Sequence, residues 1–150
     1  MPRLRRSRPP LPRFAVAWFP TFPGIERIEV FRARHDPVAA RVPAHLSLVF
    51  PFATVLTPLQ LETHVRRIVS AWPPIPVTFR NVRMHANEFV FLMASGGAAA
   101  VTALHDRLYT RSLRLHLRGD FADVLREVVL LAMEPDGKIE MLNHIPLHSS

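Results

Sequence analysis

Proline limits what this chain can fold into more than any other residue. There are 15 prolines in 150 residues, against 5 glycines. Each one fixes φ and removes a backbone donor, so neither a helix interior nor a central strand runs easily through it. Pro20, Pro37, Pro43, Pro51, Pro58, Pro73-Pro74 and Pro135 divide the chain into short segments. Long helices and a continuous parallel sheet are thereby disfavoured.

Four further prolines, Pro2, Pro9, Pro10 and Pro12, fall in the first 13 residues beside Arg3, Arg5, Arg6, Arg8 and Arg13. Those arginines carry five of the seven net positive charges; without them 14 basic residues face 12 acidic ones. The expectation is a basic, solvated arm over 1–13 and a nearly neutral domain over 14–150. A nucleic-acid-touching arm is the functional alternative, since mobile arginines displace phosphate counterions. At 49% hydrophobic the body has enough apolar surface to fold on its own. The absence of cysteine excludes a disulfide framework, thiolate metal sites and a cysteine nucleophile. The apolar run 14–19 stops at Pro20, which does not suit a secretory signal. No apolar run exceeds six residues, far short of the ~20 a spanning helix needs. The expectation is a soluble, cytoplasmic protein without a membrane segment.

Between these breaks the periodicity predicts short elements. Residues 14–19 form a buried strand, and Pro23-Gly24 a turn. Residues 25–34 form an amphipathic helix with Ile25, Ile28 and Phe31 inward and a solvated charged face, closed by Asp36-Pro37. Residues 45–52 form a strand expected to leave its sheet at Pro51. Thr57-Pro58 opens a helix whose apolar residues Leu59, Leu61, Val65, Ile68 and Val69 continue it to about Trp72. Strands over 77–82 and 88–94 pair as a hairpin. Gly96-Gly97 opens a helix to about Tyr109, 113–117 is extended, and 124–133 and 139–147 form a closing hairpin around Asp136-Gly137. This order predicts an α+β fold with curved, mostly antiparallel sheets and helices packed outside.

The segment Pro43-Ala-His45-Leu-Ser47-Leu-Val-Phe-Pro-Phe52 carries the chemistry. Alternate strand residues share a face, so His45 and Ser47 are expected side by side, about 6–7 Å apart, with Leu46 and Leu48 buried behind them. An imidazole transfers protons near neutral pH, and a hydroxyl holds a phosphoryl oxygen as charge develops on it. That pair suits a phosphoester, with no cofactor and no metal. His-x-[Ser/Thr] alone is a weak pattern: with 8 histidines and 14 serines and threonines, about 0.7 chance matches are expected, and His148-Ser149-Ser150 reads as one.

In its context, His45-Leu-Ser47-Leu-Val-Phe-Pro-Phe52 resembles the first signature of the 2H phosphoesterases, the 2′-5′ RNA ligase superfamily. The likeness extends through Glu88-Phe-Val-Phe-Leu92, the helix with Leu104-His105-Asp106-Arg107-Leu108-Tyr109, and Glu134-Pro-Asp-Gly137, and so covers most of 14–147. The resemblance implies a two-lobed α+β fold with a His-x-[Ser/Thr] strand from each lobe facing a central cleft. It also implies paired histidines acting as general base and acid on 2′,3′-cyclic phosphate or 2′-5′ linked ends of RNA or nucleotides.

The second His-x-[Ser/Thr] of that pattern has no aligned counterpart; near Gly119-Asp120 the chain passes directly to Phe121 and the closing hairpin, so the second lobe is expected to be incomplete. His116, with Arg118 two residues on as a phosphate ligand, is the nearest stand-in, and His144 is another. His64, His85 and His105 read as surface or structural, and His35 as part of a helix stop. Arg80 and Arg83 read as exposed strand-end residues that would add charge to a cleft. Two alternatives to an enzyme remain: a relative that binds such ends without turnover, and a homodimer in which a second copy covers the incomplete lobe.

Overall fold

Residues 10–85, 89–113, 127–133 and 139–146 are described by the structure, a computed structural model. In chain order the elements are β1 (Arg13–Trp18), α1 (Ile25–His35), β2 (Leu46–Ala53), α2 (Pro58–Val69), β3 (Thr78–His85), β4 (Phe89–Gly96), α3 (Ala98–Leu108), a 3-10 turn (Arg111–Leu113), β5 (Glu127–Met133) and β6 (Ile139–Pro146). The strands form a four-stranded sheet in the order β2-β1-β5-β6 and a separate β3-β4 pair. Every pairing is antiparallel. The fold is α+β, and it agrees with a partial form of the arrangement expected above. The extended piece expected over 113–117 falls mostly outside the described residues, and Leu113 itself closes the 3-10 turn.

β1 is central in its sheet because both its faces are buried. Phe14, Val16 and Trp18 enter the main core, whereas Ala15 and Ala17 are buried with Phe19 in a second, smaller cluster. The main core is closed by Leu46 and Leu48 of β2, by Leu61, Val65 and Ile68 of α2 and by Val101, Leu104 and Leu108 of α3. Each such side chain contributes about 1.5–3 kcal/mol through its burial. α2 lies against β6 and α3 against β2, and the two helices also meet.

Local chemistry explains where these helices begin. The Thr57 hydroxyl accepts from the Gln60 amide while the Gln60 side chain accepts from the Thr57 amide, a reciprocal capping box with Pro58 at the first helical position. Gly97 precedes α3 at φ +80°, where a Cβ would stand 2.2 Å from the Pro76 carbonyl oxygen. Only glycine allows that approach.

Several expectations are corrected. α2 ends at Val69 instead of near Trp72; Ala71 and Trp72 donate to Ile68 and Val69 in a tightened last turn, since a residue before proline avoids helical geometry. Leu59 is 71% exposed because it stands about 200° around the helix from Leu61. β3 and β4 run longer than expected; Asn81, at φ 63°, marks a register shift between Phe79 and Val82 past which the pairing resumes. β2 does not leave its sheet at Pro51: Phe52 pairs with Phe14 and Ala53 with Arg13. Proline is tolerated there because β2 is an edge strand with an irregular register.

Tyr109, at the end of α3, supports that irregular stretch. Its hydroxyl accepts the Phe50 amide at 2.9 Å, a donor that an edge strand would otherwise leave unmatched. Burial raises the Tyr109 pKa, opposed in part by the Phe50 amide, so the phenol stays protonated at neutral pH. Tyr109→Phe keeps the ring and removes the acceptor. It is expected to cost about 1–3 kcal/mol, seen as a lower urea midpoint with an unchanged m-value.

Candidate functional site

The site is built on the return from α1 into β2. α1 has no fully buried residue, and its inward side is not the one expected from the apolar letters. Ile25 and Ile28 are half-buried, but Phe31 is 51% exposed and lies against His35 with ring centroids 4.5 Å apart. The inward position at the end of the helix is taken by Arg32, whose side chain is only 13% exposed. The charged face is therefore not simply solvated, because Arg32 is engaged on every side. Its guanidinium donates to Glu29 at 2.9 Å, to Asp36 at 2.9 Å and twice to the Val42 carbonyl at 3.1 Å.

This network folds the 36–45 segment back over the helix. Asp36 accepts the Val38 amide at 2.9 Å, which turns the chain directly after α1. Glu29 reaches further, accepting the Ala44 amide. The Asp36 carboxyl titrates below its ordinary value: burial, the largest influence, opposes ionisation, but the Val38 amide, the Arg32 hydrogen bond and charge, and the charge of His45 together outweigh it. Asp36 is thus within electrostatic reach of the imidazole that follows.

His45 is exposed and immediately precedes β2. Its Nδ1 lies 2.8 Å from the Pro43 carbonyl oxygen. A carbonyl only accepts, so Nδ1 carries the proton and donates it, and in the neutral ring Nε2 holds the free lone pair. Phe19 flanks the ring at 6.0 Å between centroids. Beyond it, Leu46 and Leu48 are buried and Ser47 is half-buried, as alternation along a strand requires.

Ser47 pairs with Ala17 of β1, Ala17 with Val129 of β5, and Val129 with His144 of β6. These four positions therefore stand in one cross-strand register row, and Ala17 of that row is buried with Ala15 and Phe19. His116 and Arg118 lie outside the described residues, as do His148 and most of the basic arm.

The other histidines are held elsewhere. His64 is buried between helices, with Nε2 donating to the Leu108 carbonyl at 2.9 Å and Nδ1 accepting from Arg67 at 3.5 Å. His105 is buried, donates to Asp106 at 3.0 Å and lies against the Tyr109 ring. Both serve the packing around α3, in keeping with the structural reading of the sequence. Arg80 is exposed on β3, and His85 is that strand's last residue. Among the described residues no group of three or more His, Asp or Glu is arranged to hold a metal ion, and no helix is long and apolar enough to cross a membrane.

The family model described as the 2′-5′ RNA ligase superfamily matches residues 19–125, well over half of the chain. The chain belongs to the 2′-5′ RNA ligase superfamily. The matched span contains the segment from Phe19 through Glu29, Arg32 and Asp36 to His45 and Ser47, and in this superfamily member it ends before β5 and β6. No curated protein matches this superfamily member.

The residues that sequence reasoning missed are Glu29, Arg32 and Asp36. Their signal was present: spacings of three and four place them along one side of α1, the side that the returning chain covers. Because the folded Asp36 pKa lies below its unfolded value, ionisation of Asp36 favours the folded state above the unfolded pKa of ~3.9, and that contribution fades as pH falls through the lower, folded value. Asp36→Asn is expected to flatten the acid limb of a stability-versus-pH curve below about pH 4, measured by denaturant unfolding, with a smaller change near neutrality than a deletion of Arg32 would give.

Proposed function

We propose that this superfamily member acts on 2′,3′-cyclic phosphate or 2′-5′ linked ends of RNA or nucleotides by histidine acid–base chemistry. His45 serves as a general acid or base through Nε2, and the Ser47 hydroxyl holds a phosphoryl oxygen. The observation that carries this reading is the bond from His45 Nδ1 to the Pro43 carbonyl. It leaves an exposed imidazole with one defined basic nitrogen, two residues before a half-buried hydroxyl, inside the matched span. In hydrolysis of a cyclic phosphate, a base takes a proton from water as its oxygen attacks phosphorus, and an acid protonates the departing ribose oxygen. One imidazole supplies one of these transfers at a time.

For the second transfer we favour His144. Its register position supports this choice, since it stands in the same cross-strand row as Ser47, three strand spacings or about 14 Å of backbone away. His116 and Arg118 remain the alternative pair, on the sequence argument alone.

With adenosine 2′,3′-cyclic phosphate as substrate, His45→Ala is expected to lower turnover by about 10²–10⁴-fold, and Ser47→Ala by about 10²-fold. His144→Asn is expected to fall in the same range as His45→Ala. Turnover indifferent to His45→Ala contradicts the proposal. Binding of the nucleotide without any turnover in the wild type would favour the alternative, a relative that holds such ends and leaves them intact.

A further inference from the structure

Three consecutive residues before the imidazole are each held by a named side chain. The Val42 carbonyl accepts from Arg32, the Ala44 amide donates to Glu29, and the Pro43 carbonyl accepts from His45 Nδ1. The last two of these bonds use the two ends of one peptide unit, the Pro43–Ala44 amide. No peptide bond in the described residues is cis, so that unit presents its N–H and C=O in opposite directions. A carboxylate thus bonds one end of a peptide while an imidazole bonds the other.

We propose that Glu29 is a positioning residue for His45, acting through the Pro43–Ala44 peptide as a carboxylate–amide–imidazole relay. The inference rests on His45 being the proton carrier of the proposed function, but its physical content is independent of turnover. A hydrogen bond from an amide N–H to an ionised carboxylate is among the stronger ones. It draws electron density through the conjugated peptide onto the carbonyl oxygen and makes that oxygen a better acceptor, as bonds in a chain polarise one another. The strengthened Pro43 carbonyl holds the proton on Nδ1, keeps Nε2 as the basic nitrogen and stabilises the imidazolium that forms when Nε2 takes a proton. A carboxylate bonded directly to Nδ1 has the same effect over a shorter path.

The surroundings suit this role. Arg32 Nη1 pairs with Glu29 at 2.9 Å and holds its carboxylate in place, while the same guanidinium fixes Val42 next to the relayed peptide. Glu29 occupies a partly buried position, with 34% of its side chain exposed, where the charge is less screened than in open water. Proline at position 43 locks φ next to the carbonyl that His45 uses. No covalent step is involved; the relay sets a proton's place and a ring's orientation.

The test is ¹⁵N NMR of the His45 ring nitrogens in the full chain, recorded on the neutral ring, for wild type, Glu29→Gln and Glu29→Ala. Wild type is expected to show one dominant tautomer with the proton on Nδ1. Glu29→Gln keeps an acceptor for the Ala44 amide but removes the charge and the Arg32 pair, and it should move the two nitrogen shifts measurably toward each other. Glu29→Ala should move them further. With adenosine 2′,3′-cyclic phosphate, kcat should fall several-fold in Glu29→Gln with KM nearly unchanged, because Glu29 touches no substrate. If Glu29→Ala does not fold, the glutamine variant decides the matter. Shifts unchanged by loss of the Glu29 charge overturn the relay whatever the enzyme does. A relay intact by NMR in a protein whose turnover ignores His45→Ala would instead remove the proposed function and leave the relay standing.

Discussion

The Arg32 guanidinium is the interaction on which the geometry of this site depends. It joins Glu29 and Asp36 of the α1 end to the Val42 carbonyl of the returning chain, and the segment so held delivers His45 to the mouth of β2. A lysine would not replace it. The planar fork satisfies two carboxylates and a carbonyl at once, whereas an ammonium is a single point charge on a longer, freer stem. The cost of drawing this cation away from water is offset because it meets two carboxylates and a carbonyl. α1 buries no side chain completely, so the network does for this helix what apolar burial does for α2 and α3.

The sheet supplies a second constraint. β1 sends Phe14, Val16 and Trp18 to one side and Ala15 and Ala17 to the other. The large side chains pack in the core with the helices, the small ones are buried on the opposite face with Phe19, and the register of the sheet sets the His144 position in the same cross-strand row as Ser47. On β2 itself, Tyr109 meets the Phe50 amide beside Pro51, where the pairing is irregular, so the strand that carries Ser47 is supported from the end of α3 as well.

Much of this was legible from letters. The Thr57-Pro58 cap marked where α2 begins, and the His45-Leu-Ser47-Leu pattern placed the buried leucines on the correct side, whereas proline spacing did not mark every stop, since β2 runs through Pro51. What misled was reading apolar letters as inward ones. Phe31 fits the periodicity of α1 but is outside, and Arg32 is inside, because an arginine making four hydrogen bonds to three partners outweighs the modest burial that one more ring would give. Leu59 misled in the same way at the first turn of α2. Tertiary hydrogen bonds of this kind, Glu29 to Ala44 or Tyr109 to Phe50, join residues 15 and 59 positions apart, and a local pattern carries no signal for them. The row joining Ser47 to His144 was hidden for the same reason, since it depends on the register of three strand pairings.

The central claim is that the His45 and Ser47 face receives a phosphoryl group. The most direct measurement is a crystal structure of the protein with adenosine 2′-monophosphate, the product-like ligand of a cyclic phosphate. The phosphoryl group is expected within hydrogen-bond distance of both His45 Nε2 and Ser47 Oγ, with Nδ1 still bonded to the Pro43 carbonyl. A nucleotide seated elsewhere, or one that contacts neither side chain, would contradict it.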